Sequence, residues 1–165
     1  MDSPPKGLVP ATPALAAALA CRLSAEHRRE IAQTAGLPPG EALLFSLAAS
    51  REAYAFVPDG HAPVFMMGVE ETGALTGSAM LWMLASGAIR RYAAGTVRTA
   101  RWGVGRALRT GRADCLEQYI PEWYDTGLRF ALRLGFRIAP ETHRGRGGVA
   151  LLRVVLERKD TEWEF

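Results

Sequence analysis

The sequence predicts an α/β fold in which a mixed central sheet carries helices on both faces. Helical patterns fill the first third of the chain, short strand patterns follow, and the segment 78–85 is almost wholly apolar. The chain has 165 residues, 48% of them hydrophobic and 22% charged, which is the composition of a globular protein and excludes a disordered or fibrous chain. We therefore expect residues 1–165 to form one domain around a substantial core.

The first third contains one strand pattern and three helix patterns. Residues 7–10 predict a short edge strand, because Pro10 cannot donate to a sheet ladder. Helices are expected over residues 13–23, 25–35 and 41–50, where apolar residues recur at helical spacing. The residues suited to begin or end these helices are Thr12, Ser24 and Gly36. This part of the chain should supply the helices that cover one face of the sheet.

The middle of the chain changes to a strand pattern. Residues 52–57 and 63–69 flank a Pro-Asp-Gly-His turn and predict an antiparallel hairpin. Residues 70–77 look like a connection into the strand 78–85. Because that strand has no polar face, we expect it at the centre of the sheet, covered on both sides.

Helices and strands alternate in the last third. The expected elements are a glycine-interrupted helix over 88–110, a strand over 114–120, a helix over 122–134 ended by Gly135, a strand starting at 136–138, a link over 141–148 and a last strand over 150–156. This order is that of a mixed sheet with helices on both faces.

Basic residues are unevenly distributed. The formal net charge is +3, but no acid lies between Glu71 and Asp114. That stretch holds Arg90, Arg91, Arg98, Arg101, Arg106, Arg109 and Arg112. It favours an anionic partner, either a phosphorylated cofactor, nucleic acid or an acidic protein surface, or else it is a solvated helix face. Nucleic acid is the weaker reading, since lysine is scarce and no recognition module is visible.

A candidate anion site follows the central strand. The turn 86–88 and the guanidinium groups of Arg90 and Arg91 place amide and cationic donors at one helix start. The alternative is a simple structural turn. Other ligand chemistry is not indicated: His27, His61 and His143 assemble no catalytic or metal set, and Cys21 and Cys115 have no metal spacing. We expect no bound metal, and both cysteines as reduced thiols in or near the core.

Several segments resemble a known superfamily. Residues 8–13 are similar to the opening strand and helix start of the GNAT superfamily of acyl-CoA-dependent N-acyltransferases, and residues 123–136, ending in Gly-Phe, resemble its late helix. The resemblance covers most of the chain. Segments 37–50, 80–86 and 116–120 more closely resemble GNAT-like proteins of tailed bacteriophages, which are described as internal virion or virion-morphogenesis proteins.

The resemblance implies an acetyl-CoA site. The strand 78–85 would part from the strand 114–120 and accept the pantetheine arm, and the following turn would hold the pyrophosphate. The residues implied are Leu84, Ala85, Ser86, Gly87, Arg90 and Arg91. Two departures from the superfamily pattern occur: Ser-Gly-Ala-Ile-Arg-Arg replaces its glycine-rich loop, and Ala131 stands where a tyrosine often acts as general acid.

Acyl transfer to an amine also requires a base and an acid. The acids nearest the predicted sheet centre include Glu70 and Glu117, either of which could act as the base or be a solvated strand residue. Tyr119 or Tyr124 could donate the proton to the leaving thiolate. These four residues are the catalytic candidates.

Two functions are therefore expected from the resemblance. The first is an acetyl-CoA-dependent N-acetyltransferase, with a degenerate site if activity is lost, acting on a small-molecule or protein amine. The alternative is a non-enzymatic virion-morphogenesis module that contacts phage structural proteins.

No apolar stretch approaches the roughly 20 residues of a membrane span, and the N-terminus lacks a secretory pattern. We expect the protein in the cytoplasm, or in the host cytoplasm or virion if it is phage-encoded.

Overall fold

The computed structural model describes residues 3–73, 77–110 and 113–161. In these ranges the strands are β1 (Leu8–Pro10), β2 (Ser50–Phe56), β3 (Phe65–Gly73), β4 (Ser78–Ala85), β5 (Cys115–Pro121), β6 (Arg137–Arg144) and β7 (Ala150–Glu157). The helices are α1 (Pro13–Ala20), α2 (Ala25–Gln33), α3 (Pro39–Ala49), α4 (Ala93–Thr110) and α5 (Asp125–Arg133), with short 3₁₀ turns at Gly87–Arg90, Arg146–Gly148 and Arg158–Asp160.

The strands form one mixed sheet. Its order is β1-β2-β3-β4-β5-β7-β6, and every pairing is antiparallel except that of β4 with β5. The parallel ladder covers three residue pairs, from Ser78 with Cys115 to Met80 with Glu117. Beyond Met80 the two strands diverge, as the resemblance implied.

Helices cover both faces of this sheet, which confirms the predicted fold class. On one face α1, α2 and α3 contribute Ala16, Leu19, Ile31, Ala42 and Leu43 to a buried cluster with Met66, Trp82 and Leu84 of the sheet. On the other face α4 and α5 contribute Ala100, Val104, Leu108 and Ala131, which pack with Phe65, Leu81, Leu116 and Ile120. β4 lies between the two clusters, which explains its unbroken apolar sequence.

The predicted caps and stops are confirmed at three helix ends. Thr12 Oγ1 accepts from the amide of Leu15, 3.2 Å away, at the start of α1. Ser24 Oγ accepts from the amide of His27, also at 3.2 Å, at the start of α2. Gly135 follows α5 with φ 91°, a left-handed conformation that glycine adopts without a Cβ clash. The Ser24 cap fixes the first turn of α2, where His27 lies.

Two predicted connections are strands in the structure. β3 continues to Gly73 instead of ending at residue 69, and the predicted link 141–148 is partly β6, which runs to Arg144. Both additions carry polar side chains that are largely exposed, so they lack the alternation by which strands are recognised. β6 is an edge strand, where such charged residues are common.

Three further expectations were wrong in detail. α4 begins at Ala93, after a 3₁₀ turn, instead of at residue 88. α5 begins at Asp125, because the amide of Glu122 still bonds to Ala150 O at the end of the sheet. Cys21 is exposed and does not lie near the core, although it is a free thiol as expected. None of the described helices is long and apolar enough to cross a bilayer.

Candidate functional site

The divergence of β4 and β5 opens a slot in the middle of the sheet. The amide of Ser86 donates to Val64 O on the β3 side at 2.8 Å. Because backbone groups alternate along a strand, those of Met83 and the carbonyl of Leu81 point the other way, into the slot, whereas the Leu81 amide belongs to the ladder pair of Met80 with Glu117. Ala85 O also points away from β3 and accepts from the amide of Ser24 at 3.0 Å, which closes the far end of the slot. The Leu81 carbonyl and both backbone groups of Met83 therefore have no strand partner on this side of β4.

A cavity lies on each face of the sheet at this slot. The α5-side cavity, of about 230 Å³, is bounded by α4, α5 and the diverging strands. The α3-side cavity, of about 560 Å³, is bounded by α2, α3, the diverging strands and the loop after β6. Both are lined by Glu30, Leu81, Met83 and Gln118. Since these residues face both cavities, the slot connects the two spaces.

The α5-side cavity is largely apolar but contains an unpartnered hydroxyl. Thr96, on the first turns of α4, lines the cavity and is 1% exposed. Its Oγ1 is buried and has no hydrogen-bond partner among the described residues. A buried hydroxyl without a partner is destabilising, so this atom is suited to bind a ligand that enters the cavity. Arg90 lies at the rim and is exposed.

A cluster of three side chains lines the α5-side cavity where α2 meets α5. His27 Nδ1 lies 2.9 Å from Glu30 Oε2, and Tyr124 Oη lies 3.2 Å from His27 Nε2. His27 and Glu30 are each 8% exposed, and the His27 and Tyr124 rings meet edge to face at 5.4 Å. In the arrangement that satisfies all three groups, a neutral His27 donates to the carboxylate and accepts from the phenol. We call these residues the relay cluster.

The relay cluster can hold and transfer a proton. Burial raises the pKa of Tyr124, and the negative charges of Glu30 and Glu26 raise it further, so the phenol keeps its proton at neutral pH. The lone-pair nitrogen of neutral His27 is hydrogen-bonded to the Tyr124 phenol, while Glu30 fixes the ring and would stabilise its charged form. An acid and a base thus lie next to each other beside the slot, as proton transfer during catalysis requires.

No protein-family model matches the sequence, and no curated protein matches it. Solved structures do match. An aminoglycoside 6'-acetyltransferase type Ii is 15% identical with a TM-score of 0.69, covering 92% of this chain and 96% of its own. An acetyltransferase described as GNAT family, from Bacillus anthracis, is 8% identical with a TM-score of 0.68, covering 93% and 96%.

A third structure, RimL, is described as a ribosomal L7/L12 alpha-N-protein acetyltransferase in complex with coenzyme A. It is 10% identical with a TM-score of 0.68, covering 91% of this chain and 92% of its own. At such identities a likeness over nearly the whole of both chains establishes a shared fold. The chain has the GNAT fold.

The structure separates the four catalytic candidates within the GNAT fold. Tyr124 belongs to the relay cluster. Tyr119 lines the α3-side cavity, with its ring centroid 4.8 Å from that of His143. Glu117 is held 2.7 Å from the Arg153 guanidinium and lines neither cavity. Glu70 also lines neither cavity, and burial raises the pKa of its carboxyl although a hydrogen bond with Ser46 of α3 acts to lower it.

The six cofactor-binding candidates fall into a buried group and an exposed group. Leu84, Ala85 and Ser86 are buried, and the Ser86 hydroxyl donates to Val64 O at 3.1 Å. Gly87, Arg90 and Arg91 are exposed at the turn before α4. Of the six, Arg90 lines the α5-side cavity, where it lies 3.7 Å from Glu26, and Leu84 lines the α3-side cavity.

From the sequence, His27 was expected to belong to no catalytic or metal set, and Glu30 was not a candidate. Their spacing of three residues on α2 places both on one helix face, directed inward, and this spacing could have drawn attention to them. Their partner Tyr124 is 97 residues away from His27, so only the fold brings it into contact. Among the described residues, no group of three His, Cys, Asp or Glu side chains could hold a metal ion.

Glu70 has a stability role that can be tested. Burial raises the pKa of its carboxyl above the usual 4.5, so the folded state holds the proton more tightly than the unfolded state, and stability falls as the pH rises through that range. Glu70→Gln should therefore raise the melting temperature at pH 7 and change it little below pH 4. Thermal unfolding at both pH values measures this. Glu71→Gln, at the exposed neighbouring position paired with Arg51, should give no such gain at pH 7.

Proposed function

We propose that the protein is an acetyl-CoA-dependent N-acetyltransferase. The observation that carries the proposal is the slot between β4 and β5, which joins a cavity on each face of the sheet and has the relay cluster beside it. An acyl donor and an amine could enter from opposite faces and meet at the slot. Reaction of two bound molecules needs this kind of shared, enclosed space.

The α5-side cavity suits the acyl donor. A pantetheine arm is narrow and carries amide groups, which match the open Leu81 carbonyl, the open backbone groups of Met83 and the unpartnered Thr96 hydroxyl. Arg90 and Arg91 would bind the phosphates at the mouth. The RimL structure is described as holding coenzyme A. Acetyl-CoA supplies the acetyl group in activated form, as a thioester.

The relay cluster supplies the proton transfers. When the Tyr124 hydroxyl turns from His27 Nε2 towards the slot, that nitrogen can accept the proton that an ammonium acceptor must lose to become a nucleophile, and Glu30 stabilises the resulting imidazolium. Tyr124 Oη holds a proton that it can donate to an anion developing in the slot. His27 can then return its proton to Tyr124 through their hydrogen bond. The nitrogen of the acceptor loses a second proton after its attack on the thioester, and this proton leaves to solvent, so the cluster ends each cycle in its starting state.

The proposed acetyl acceptor is an amine, which belongs either to a small molecule or to a protein. Among the matched structures, RimL is named for a protein α-amine and another for an aminoglycoside. The resemblance of some segments to phage virion proteins stays a prediction from the sequence, as does a location in the host cytoplasm or the virion. Co-purification of the protein with phage particles would test that alternative.

Direct titration of the full chain with acetyl-CoA tests the donor site. Wild type should bind, and the double variant Arg90→Gln/Arg91→Gln should bind about tenfold more weakly, a loss of about 1.4 kcal/mol, because two phosphate contacts lose their charge. Isothermal titration calorimetry measures both. Arg98→Gln is the control, since Arg98 is exposed on α4 and lines neither cavity, and its affinity should equal that of wild type.

Acetyl transfer to a panel of amines, followed by mass spectrometry, tests the reaction itself. Transfer that depends on acetyl-CoA and on the relay cluster supports the proposal. If wild type fails to bind acetyl-CoA at millimolar concentration, or binds it without transferring the acetyl group to any amine, the enzyme proposal is wrong.

A further inference from the structure

The α3-side cavity has a charge pattern that the proposed function does not use. Three of its lining residues are charged: Glu30 at the slot, and Arg144 and Arg146 in the loop after β6. Glu30 is buried, whereas both arginines are exposed at the outer end. The cavity is therefore negative at its base and positive at its mouth.

Both arginines have donors left for a ligand. Arg144 Nη1 donates to Gly148 O at 2.9 Å, which fixes the side chain and leaves its other N–H groups. The Arg146 side chain lies against Gly36 at the end of α2, so closely that a Cβ added there would collide with it. It forms no ion pair within the described part of the chain. Two guanidinium groups that line one cavity and have donors left are suited to bind a carboxylate.

The wall between the two charged ends is largely apolar. Leu37, Ala42, Trp82 and Leu151 line it, together with Phe45, whose ring is 63% exposed. An exposed phenylalanine at a cavity mouth offers surface for a hydrophobic group of a ligand. The volume of about 560 Å³ is in the range of small-molecule sites.

We infer that the α3-side cavity binds a small zwitterionic amine, an amino acid with an apolar or aromatic side chain, whose carboxylate pairs with Arg144 and Arg146 and whose amine points to Glu30. As an acceptor assignment this rests on the proposed function, because the amine would lie at the slot beside His27. The apolar side chain packs on the wall at Phe45. The charge pattern selects against simple amines, which have no group to pair with the arginines.

Binding can be measured without acetyl-CoA, using L-phenylalanine and L-phenylalaninamide as probes. The two share the amine and the ring, and differ in that the amide has no carboxylate. Titration of the full chain, followed by ligand-observed NMR, should show L-phenylalanine binding at least tenfold more tightly than the amide. In Arg144→Gln/Arg146→Gln this preference should disappear through weaker L-phenylalanine binding, with the amide unchanged. Arg98→Gln, which removes one positive charge outside the cavities, should keep the preference.

Each other outcome overturns the inference. Equal binding of the two probes, or no saturable L-phenylalanine binding in the millimolar range, excludes a zwitterion site. Acetylation of a phenylalanine-initiated peptide amide in preference to L-phenylalanine would assign the cavity to protein N-termini instead. The result is separable from the donor test: acetyl-CoA binding without a zwitterion preference leaves the enzyme proposal intact, and a zwitterion preference without acetyl-CoA binding removes the enzyme proposal but not the ligand site.

Discussion

Tyr124→Phe is expected to lower kcat for acetyl transfer by about 10² to 10⁴-fold, the usual contribution of a positioned acid or base. The variant removes only the phenolic oxygen, 3.2 Å from His27 Nε2, and keeps the ring that packs beside it. Acetyl-CoA affinity should change little, because the loss falls on proton transfer. Steady-state kinetics together with calorimetric titration separate the two effects.

Tyr54→Phe is the matched control. Tyr54 also carries a hydrogen-bonded phenol, to Glu52 at 3.3 Å, and packs edge to face on Trp102, but it lines neither cavity at the slot. Its kcat should stay within twofold of wild type. A Tyr124→Phe enzyme with unchanged kcat would show that the phenol takes no part in the reaction, and the acid would then have to be sought elsewhere.

Phe65→Ala should lower the free energy of unfolding by about 3 to 5 kcal/mol, the range for emptying a phenylalanine site in a core. Phe65 is fully buried at the start of β3, and its ring centroid lies 5.4 Å from that of Phe56. Its strand neighbours Phe56 and Ala85 belong to the same buried cluster, so the cavity would open in the core between the sheet and the helices α4 and α5. Chemical denaturation followed by circular dichroism measures the change.

Phe45→Ala provides the comparison at an exposed phenylalanine. Because its ring is 63% exposed, truncation should alter the free energy of unfolding by no more than about 0.5 kcal/mol. Equal losses at the two positions would contradict the core described here. The same control variant is informative for binding, since Phe45 lines the α3-side cavity.

Sequence patterns predicted the buried elements better than the exposed ones. The bounds of β4 are those predicted, because a strand covered on both faces has an uninterrupted apolar sequence. The outer part of β6 was missed because its residues beyond Ile138 are mostly exposed and include Pro140, so hydrophobic alternation is absent. Exposed strands are held by backbone hydrogen bonds, which every residue except proline can both donate and accept, so the side chains carry little signal.

The position of the slot was predicted from the sequence, but the side chains of the relay cluster beside it were not. The expectation that β4 parts from the next strand was correct, and it rested on the resemblance to a superfamily. The relay cluster could not be predicted, since it joins α2 to the start of α5 across 97 residues. Glu117 was a reasonable candidate from its place in a central strand, but its partner Arg153 lies 36 residues later, and the sequence does not show that the two pair.

The short parallel ladder has a mechanical consequence. Strands β1 to β4 and strands β5 to β7 are two well-bonded groups, joined in the sheet by only three residue pairs. Beyond those pairs the two groups are held together by side-chain packing, since the cluster on the α4 and α5 face joins Phe65 and Leu81 of the first group to Leu116 and Ile120 of the second. A ligand that hydrogen-bonds to the edges of both β4 and β5 at the slot would link the two groups of strands. Its binding would then stiffen the sheet as well as fill a cavity.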